Sequence, residues 1–434
     1  MVGRCTDALG NHTMARSSFL VKAALLLCAA LLFRIAVNPL PLSRGADSFG
    51  YEAKAVSLSQ GEGYRYEDRL TSFKPPGYSA FLAGLYRLLG HADRVVWAVQ
   101  LGLGVLICLC VLLIGRSIFS EAVGFWAAVI TSFSLPMARA SGWLLTEALA
   151  AFLLVIVIGL GVAFLKQRKL WLALLMGVSA AALIFTKSAM ILFPFCWFGW
   201  LTFKLIEASS RKDLLRLFLG LLVCLFCLSL WTVRNWRVQG QPVLLSTAGG
   251  RAFYASYCPP DGFKFGMNSN DSVDQQADQM THEVERDRFY YQSAFRWIAG
   301  HPNQLPKLLF YKGLYAFSPW DWELISQDGT ARYHWVYGLF FLPVCIGIIK
   351  IVREPMAGVV LIPLGYFLFL SFVFYGSPRF RLPFEPYGAL AAAYGLTALV
   401  QGRFGRSMSA WMAAGIVLFI GLTYGLMGCW RGWI

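Results

Sequence analysis

Charge is what this chain has least of. Asp, Glu, Lys and Arg together make 14% of its 434 residues, and only 23 of these are acidic. The signatures of several large enzyme classes are also missing. There is no G-x-x-x-x-G-K-S/T, no H-E-x-x-H, no G-x-S-x-G and no G-x-G-x-x-G in a βαβ setting. Nucleotide hydrolysis, serine-hydrolase and redox readings therefore have no motif to stand on. Cysteine is present ten times, but Cys28, Cys108, Cys110, Cys196, Cys224, Cys227 and Cys345 lie inside apolar runs. Cys224 and Cys227 form a C-x-x-C with no second pair and no histidine cluster, so no zinc site is expected. Cys258 and Cys429 fall in segments that can face the same side, and a bridge between them stays open.

What fills the chain instead is hydrocarbon: 57% of residues are hydrophobic. Several nearly uncharged apolar windows reach the length of about 18 residues that crosses a bilayer. The expected fold class is an all-α polytopic membrane protein with about eleven transmembrane helices. They are expected near 19–37, 95–115, 122–138, 142–165, 170–186, 189–206, 214–233, 334–352, 356–375, 382–400 and 409–427. The first follows Arg4, Arg16 and Lys22. It is too long for a signal-peptide core and has no small-residue cleavage site, so it reads as a retained signal anchor. The expected organisation is an N-terminal transmembrane catalytic module, 1–233, with an outer loop at 38–94. A cap loop at 234–333 and C-terminal helices at 334–434 follow.

The net charge is 38 − 23 = +15. The basic residues are scattered between spans with no RNA or DNA motif, so they orient helices and do not bind nucleic acid. Arg116, Lys166, Arg168, Lys169, Arg211, Lys212, Lys350, Arg353, Arg403 and Arg406 place one set of short loops in the cytoplasm. The segments 38–94 and 234–333 then face outward. Arg139, Lys187, Arg379 and Arg381 oppose this bias, because they sit in short outer turns. With Lys74 they point to an anion site on the outer face.

Within the outer loop, GADSFGYEAKAVSLSQGEGY reads as a helix ended by Gly61 and Gly63. After the turn KPPG, the apolar residues Tyr78, Phe81, Leu82, Leu85, Leu88 and Leu89 recur at helical spacing. That second helix is too short to span and is expected to lie at the membrane surface. Asp47 opens the first helix, where a carboxylate serves as an N-cap or as a general base or metal ligand. Lys74 precedes Pro75 and Pro76, which stiffen the backbone and aim its point charge, as a phosphate contact requires. Arg379 and Arg381 flank Phe380 and face one way if the segment is extended, so that both can grip one phosphate. Glu147 is expected one turn inside a span, with Arg139 or Lys187 as its partner, in a functional or a structural ion pair.

These residues stand in stretches that resemble the GT-C membrane glycosyltransferases, in the branch of the protein O-mannosyltransferases and the bacterial aminoarabinose transferases. The stretches are DSFGYEAKAVSLSQGEG with Asp47 and Tyr51, KPPGY, Thr146-Glu147, WTVRNWRVQGQPVLLSTAGG and SPRFRLPFEPYGALAAAYGL. Where the O-mannosyltransferases carry an acidic pair, this chain has Asp47-Ser48. The resemblance implies a hexosyl- or pentosyltransferase that takes a sugar from a polyprenyl-phosphate carrier. It passes the sugar with inversion to a hydroxyl of a lipid, glycan or protein acceptor at the extracytoplasmic face of the cytoplasmic (inner) membrane. Asp47 would be the base, and Lys74 with Arg379, Arg381 and Lys187 would hold the lipid phosphate. Tyr51, Glu147 and Arg139 would support them, and a divalent metal at Asp47 stays open. A flippase for a lipid-linked sugar is the alternative, and it would want the same outer cations. Trp231, Trp236, Trp320 and Trp322 are expected at the interface or stacked on sugars.

Overall fold

A computed structural model of the chain describes residues 3–67, 69–258, 272–317, 320–321, 332–333, 335–374 and 378–401. The expected span 409–427, together with Trp322, Arg403, Arg406 and Cys429, lies outside these residues.

The chain opens with α1 (Gly3–Val37) and α2 (Ala46–Ser59). A two-stranded hairpin follows, β1 (Arg65–Tyr66) and β2 (Arg69–Leu70). Next come α3 (Gly77–Leu89), α4 (Asp93–Ile118), α5 (Glu121–Phe133), α6 (Leu135–Ala140), α7 (Glu147–Gln167) and α8 (Leu170–Thr186). After a short 3-10 turn at Ser188–Met190 stand α9 (Phe193–Glu207) and α10 (Arg211–Gln239). The cap region holds α11 (Gly249–Tyr257), α12 (Ser272–Asp278), α13 (Glu283–Gly300) and α14 (Leu305–Phe317). Strands β3 (Trp320–Asp321) and β4 (Arg332–Tyr333) lead to α15 (Trp335–Ile351), α16 (Gly358–Val373), α17 (Pro378–Arg381) and α18 (Glu385–Val400).

Among the described residues, five helical stretches are long and apolar enough to cross a membrane: Phe19–Val37, Asp93–Ile118, Glu147–Gln167, Ser188–Glu207 and Arg211–Gln239. Shorter apolar helices stand at four other expected positions, Glu121–Phe133, Leu170–Thr186, Leu342–Ile351 and Gly358–Val373, and α18 stands at 382–400. Between such helices there is little hydrophobic driving force in lipid, so close backbone approach holds them. At the α15–α18 crossing a Cβ on Gly347 would strike the Ala391 carbonyl, and at the α8–α10 crossing one on Gly177 would strike the Gly220 carbonyl.

Two expected boundaries move. The stretch 122–138 is not one helix but breaks between α5 and α6 at Ser134, two residues before Pro136. Proline removes a donor and disfavours helical geometry before it. Arg34, fully buried in α1, takes up the freed carbonyl of Ser132 through Nη1 at 3.1 Å. The stretch 142–165 begins its helix only at Glu147. Residues before it lie against the chain leading into α2. Ser43 N–H donates to the Gly142 carbonyl (2.9 Å), and Leu144 N–H donates to that of Ser43 (3.0 Å). This brings the start of α2 beside the start of α7.

The main core joins α4, α5, α7, α8, α9, α10, α16 and α18. A second core sits at one end of the bundle, where Tyr51 and Ala55 of α2 meet Tyr78, Leu82 and Tyr86 of α3 and Leu149 of α7. The buried stripe of α3 runs through Tyr78, Leu82 and Tyr86; of the apolar residues read in the sequence, Tyr78 and Leu82 lie on it, while Leu88 and Leu89 are exposed. The cap has its own small core of Tyr254, Cys258, Ala277, Tyr290 and Ala294.

Candidate active site

The KPPG turn is the pivot of the site. Gly77 begins α3 against the end of α8, where a Cβ would lie 2.5 Å from the Phe185 carbonyl carbon and 2.6 Å from the Thr186 nitrogen. Only glycine permits that approach, and it brings the KPPG turn against the end of α8, which Lys187 follows. The Tyr64 hydroxyl donates to the carbonyls of Lys74 (2.9 Å) and Pro75 (3.2 Å) and holds the proline pair from behind. Tyr64 itself packs edge-on against Trp231, with ring centroids 5.4 Å apart.

Five charged side chains meet here. Lys74 Nζ donates to Asp47 Oδ1 at 2.6 Å and stands 4.4 Å over the Tyr51 ring. Arg379 spans both acids, with Nη2 3.2 Å from Asp47 Oδ2 and Nε 2.9 Å from Glu147 Oε1. Lys187 Nζ donates to the same Glu147 oxygen at 3.3 Å and lies 4.6 Å over the Phe380 ring. The side chains of Glu147, Lys187 and Lys74 are 1%, 11% and 14% exposed, while that of Asp47 is 36% exposed. The network is closed on the Glu147 side and open at Asp47. Among the described residues, these ion pairs join three cations, Lys74, Lys187 and Arg379, to two carboxylates, Asp47 and Glu147.

Burial pushes the Asp47 carboxyl up, but the charges of Lys74 and Arg379 outweigh it and hold the group below its ordinary value. Asp47 is not the N-cap of α2, as the sequence allowed. That helix begins after Gly45, whose N–H donates to Ser48 Oγ at 3.0 Å, leaving the Asp47 carboxylate to the two cations.

Two further expectations are corrected. Glu147 is the first residue of α7 and does not lie a turn inside it, and its partners are Lys187 and Arg379 instead of Arg139. Arg139, half-buried at the end of α6, has no part in the network. Arg379 and Arg381 do not face one way, because the segment is the helical turn α17 and not extended. Positions two apart on a helix lie roughly 200° round its axis. Arg381 is 5% exposed and turns instead to Glu385 Oε1 (3.4 Å) and the Ala316 carbonyl (3.1 Å).

Among the described residues the donor set does not suit a resident metal. Among the described residues no group of three His, Cys, Asp or Glu side chains gathers. Both Asp47 oxygens already accept from cations, and Glu147 Oε2 is the one carboxylate oxygen of the cluster without a partner among the described residues.

Sequence reading did not assign the residues that support the turn. In WTVRNW, Arg234 Nη1 donates to the Thr71 carbonyl at 2.7 Å, and Asn235 Oδ1 accepts from Ser72 Oγ at 3.0 Å. Trp231 Nε1 donates to the Leu245 carbonyl at 2.8 Å, so Trp231 braces the cap, while Trp236 is exposed. Phe380, noted only as the spacer between two arginines, is a wall for Lys187.

A charged cluster at one end of a many-helix apolar bundle fits a polytopic membrane protein. Comparison with known proteins narrows this class. Residues 73–233 match the family model of dolichyl-phosphate-mannose-protein mannosyltransferases. No curated protein sequence matches the chain. The fold is similar to that of the oligosaccharyltransferase of Archaeoglobus fulgidus in its apo form, with TM-score 0.55 and 13% identity, over 94% of this chain and 54% of that one. The same archaeon's oligosaccharyltransferase AglB, in complex with an inhibitory peptide and a dolichol-phosphate, gives TM-score 0.50 and 12% identity, over 94% and 55%. ArnT from Cupriavidus metallidurans bound to undecaprenyl phosphate gives TM-score 0.41 and 14% identity, over 86% and 77%. The chain thus spans about half the length of the archaeal enzyme. The chain has the fold of the archaeal oligosaccharyltransferase, and the region matched by the mannosyltransferase family model runs from the KPPG turn to the end of the seventh expected span.

Proposed function

We propose that this chain is an inverting glycosyltransferase. It moves a sugar from a polyprenyl-phosphate carrier to an acceptor hydroxyl at the extracytoplasmic face of the membrane. The observation that carries this reading is the half-buried Asp47 carboxylate held between Lys74 and Arg379. The mannosyltransferase family match and the oligosaccharyltransferase fold support it.

The three cations gathered at the two carboxylates suit an anionic, phosphate-linked donor. The phosphate competes with Asp47 for Lys74 and Arg379. As the two cations turn to the phosphate, the carboxylate loses what holds its proton affinity down and becomes a better base. The base therefore strengthens when the donor is in place. Asp47 then takes the proton of the acceptor hydroxyl as its oxygen attacks the anomeric carbon. The C–O bond to the phosphate breaks, and Lys74, Arg379 and Lys187 stabilise the charge that grows on the leaving polyprenyl phosphate. Glu147, buried and paired with two cations, is not available as a second nucleophile, so a single displacement with inversion follows.

The test is transfer in membranes from a panel of radiolabelled polyprenyl-phosphate sugars, comparing the unchanged chain with Asp47→Asn. Transfer that the variant loses supports the reading. Labelled lipid that crosses the membrane with no donor consumed would replace it with a flippase.

A further inference from the structure

The two cations that meet at Asp47 come from distant parts of the chain, and each is tied to the same cap region by hydrogen bonds that do not involve Asp47. The first tie grips the residues just ahead of Lys74. Glu283, the first residue of α13, accepts from Thr71 Oγ1 (2.5 Å), Ser72 N–H (2.8 Å), Thr247 Oγ1 (3.1 Å) and Gln239 Nε2 (3.2 Å). Thr247 N–H donates to the Ser72 carbonyl at 2.9 Å. Arg234 donates to the carbonyls of Thr71 (2.7 Å) and Tyr64 (3.2 Å).

The second tie grips the chain ahead of Arg379. Lys312 of α14 is fully buried; its Nζ donates to Ser256 Oγ (2.8 Å) and the Phe372 carbonyl (3.1 Å) and lies 3.5 Å from the Tyr257 ring centroid. Tyr257 donates to the Phe372 carbonyl (3.0 Å), and Ser256 donates to that of Phe374 (2.8 Å). These carbonyls end α16, where a helix leaves acceptors unpaired and its dipole favours a cation. Further along α14, the Ala316 carbonyl accepts from Arg381 at 3.1 Å, so one helix holds the segment on both sides of Arg379.

Lys312 is a poor device for stability alone. It faces no carboxylate among the described residues, and burial pushes its ammonium down to about 7. A buried, unpaired cation is unfavourable, and an apolar side chain of similar volume would avoid the penalty. What the ammonium contributes is direction: three segments are fixed to one point.

We propose that Glu283 and Lys312 are positioning residues, and that the cap is the jig that sets Lys74 and Arg379 at the spacing of one phosphate. This rests on the reading of the cluster as a phosphate site.

The test uses the full chain in nanodiscs with undecaprenyl phosphate as the probe. Glu283→Gln and Lys312→Met are measured alone and in Lys74→Ala and Arg379→Gln backgrounds. Each alone is expected to weaken binding about tenfold, the size of a lost charge-assisted hydrogen bond. Glu283→Gln should add nothing once Lys74 is gone and keep its effect when Arg379 is gone. Lys312→Met should behave in the mirror way, with a Tm no lower than that of the unchanged chain. Equal additive losses in every background, or no losses, overturn the jig, because only shared action is non-additive. If the unchanged chain does not bind the probe, the phosphate reading fails instead. Amide hydrogen exchange then still judges the jig: exchange must rise at 71–75 in Glu283→Gln and at 379–382 in Lys312→Met, and unchanged exchange there sinks it.

Discussion

Arg379 and Glu147 stand 232 positions apart in the chain, and their side chains meet at 2.9 Å. Glu147 is 1% exposed and shares one oxygen between Arg379 and Lys187. Neutralising it takes a buried counter-charge from both cations, although Arg379 keeps Asp47. Glu147→Gln is expected to destabilise the protein by about 3–5 kcal/mol, the scale for breaking a buried pair on one side. Thermal unfolding in detergent checks this; an unchanged Tm would mean that the pair carries little.

Asp47→Asn separates binding from chemistry. The variant loses the base but also frees Lys74 and Arg379 from a competitor. Affinity for undecaprenyl phosphate is expected to stay the same or rise while transfer disappears. A variant that binds more weakly and still transfers contradicts both roles.

Lys74→Ala removes a cation that no other residue on the KPPG turn replaces. Transfer is expected to vanish with normal expression in membranes. Full activity in this variant removes the phosphate role of the turn.

Tyr64→Phe keeps the ring against Trp231 and deletes the hydroxyl that holds the Lys74 and Pro75 carbonyls. The loss should be about 1 kcal/mol, seen as a KM increase for the donor with kcat little changed. Gly77→Ala is harsher, since its Cβ meets the backbone of Phe185 and Thr186. It is expected to displace Lys74 and to abolish donor binding.

The pH dependence has two parts of the same sign, with stability rising with pH in two separate windows. The Asp47 pKa is held below its ordinary value of 3.8 by Lys74 and Arg379 against the effect of burial. Its contribution to stability is therefore complete above 3.8 and is lost only as pH falls through the lower folded value. Lys312 is pushed from 10.5 down to about 7. Between those values the unfolded chain binds more protons, so stability should rise with pH across that window. Tm measured from pH 7 to 10 should climb in the unchanged chain and flatten in Lys312→Met.

The helices were legible because apolar length and the 3.6-residue period are local properties. The stretches 170–186 and 78–89 match α8 and α3 closely for that reason. The break at Ser134 was missed although Pro136 stood in view, since a long apolar run masked it. Lys74, Lys187, Arg379 and Glu147 were picked out because charge beside a membrane span is rare, and rarity is visible without a structure. Their arrangement was not. The Arg381 expectation failed on one local fact, a helical turn where an extended segment was assumed.

By itself the sequence determined a polytopic helical protein and a short list of charged residues that its apolar runs do not explain. It also marked the KPPG turn, because two prolines and a glycine constrain their own backbone wherever they stand. Tertiary structure alone decided which charges pair. Asp47, Lys74, Glu147, Lys187 and Arg379 lie on five separate segments, and an ion pair depends on distance in space, which helix packing sets. Only the packed cap shows that Glu283 and Lys312 belong to the site, since neither touches an anion and each acts through the backbone of another segment.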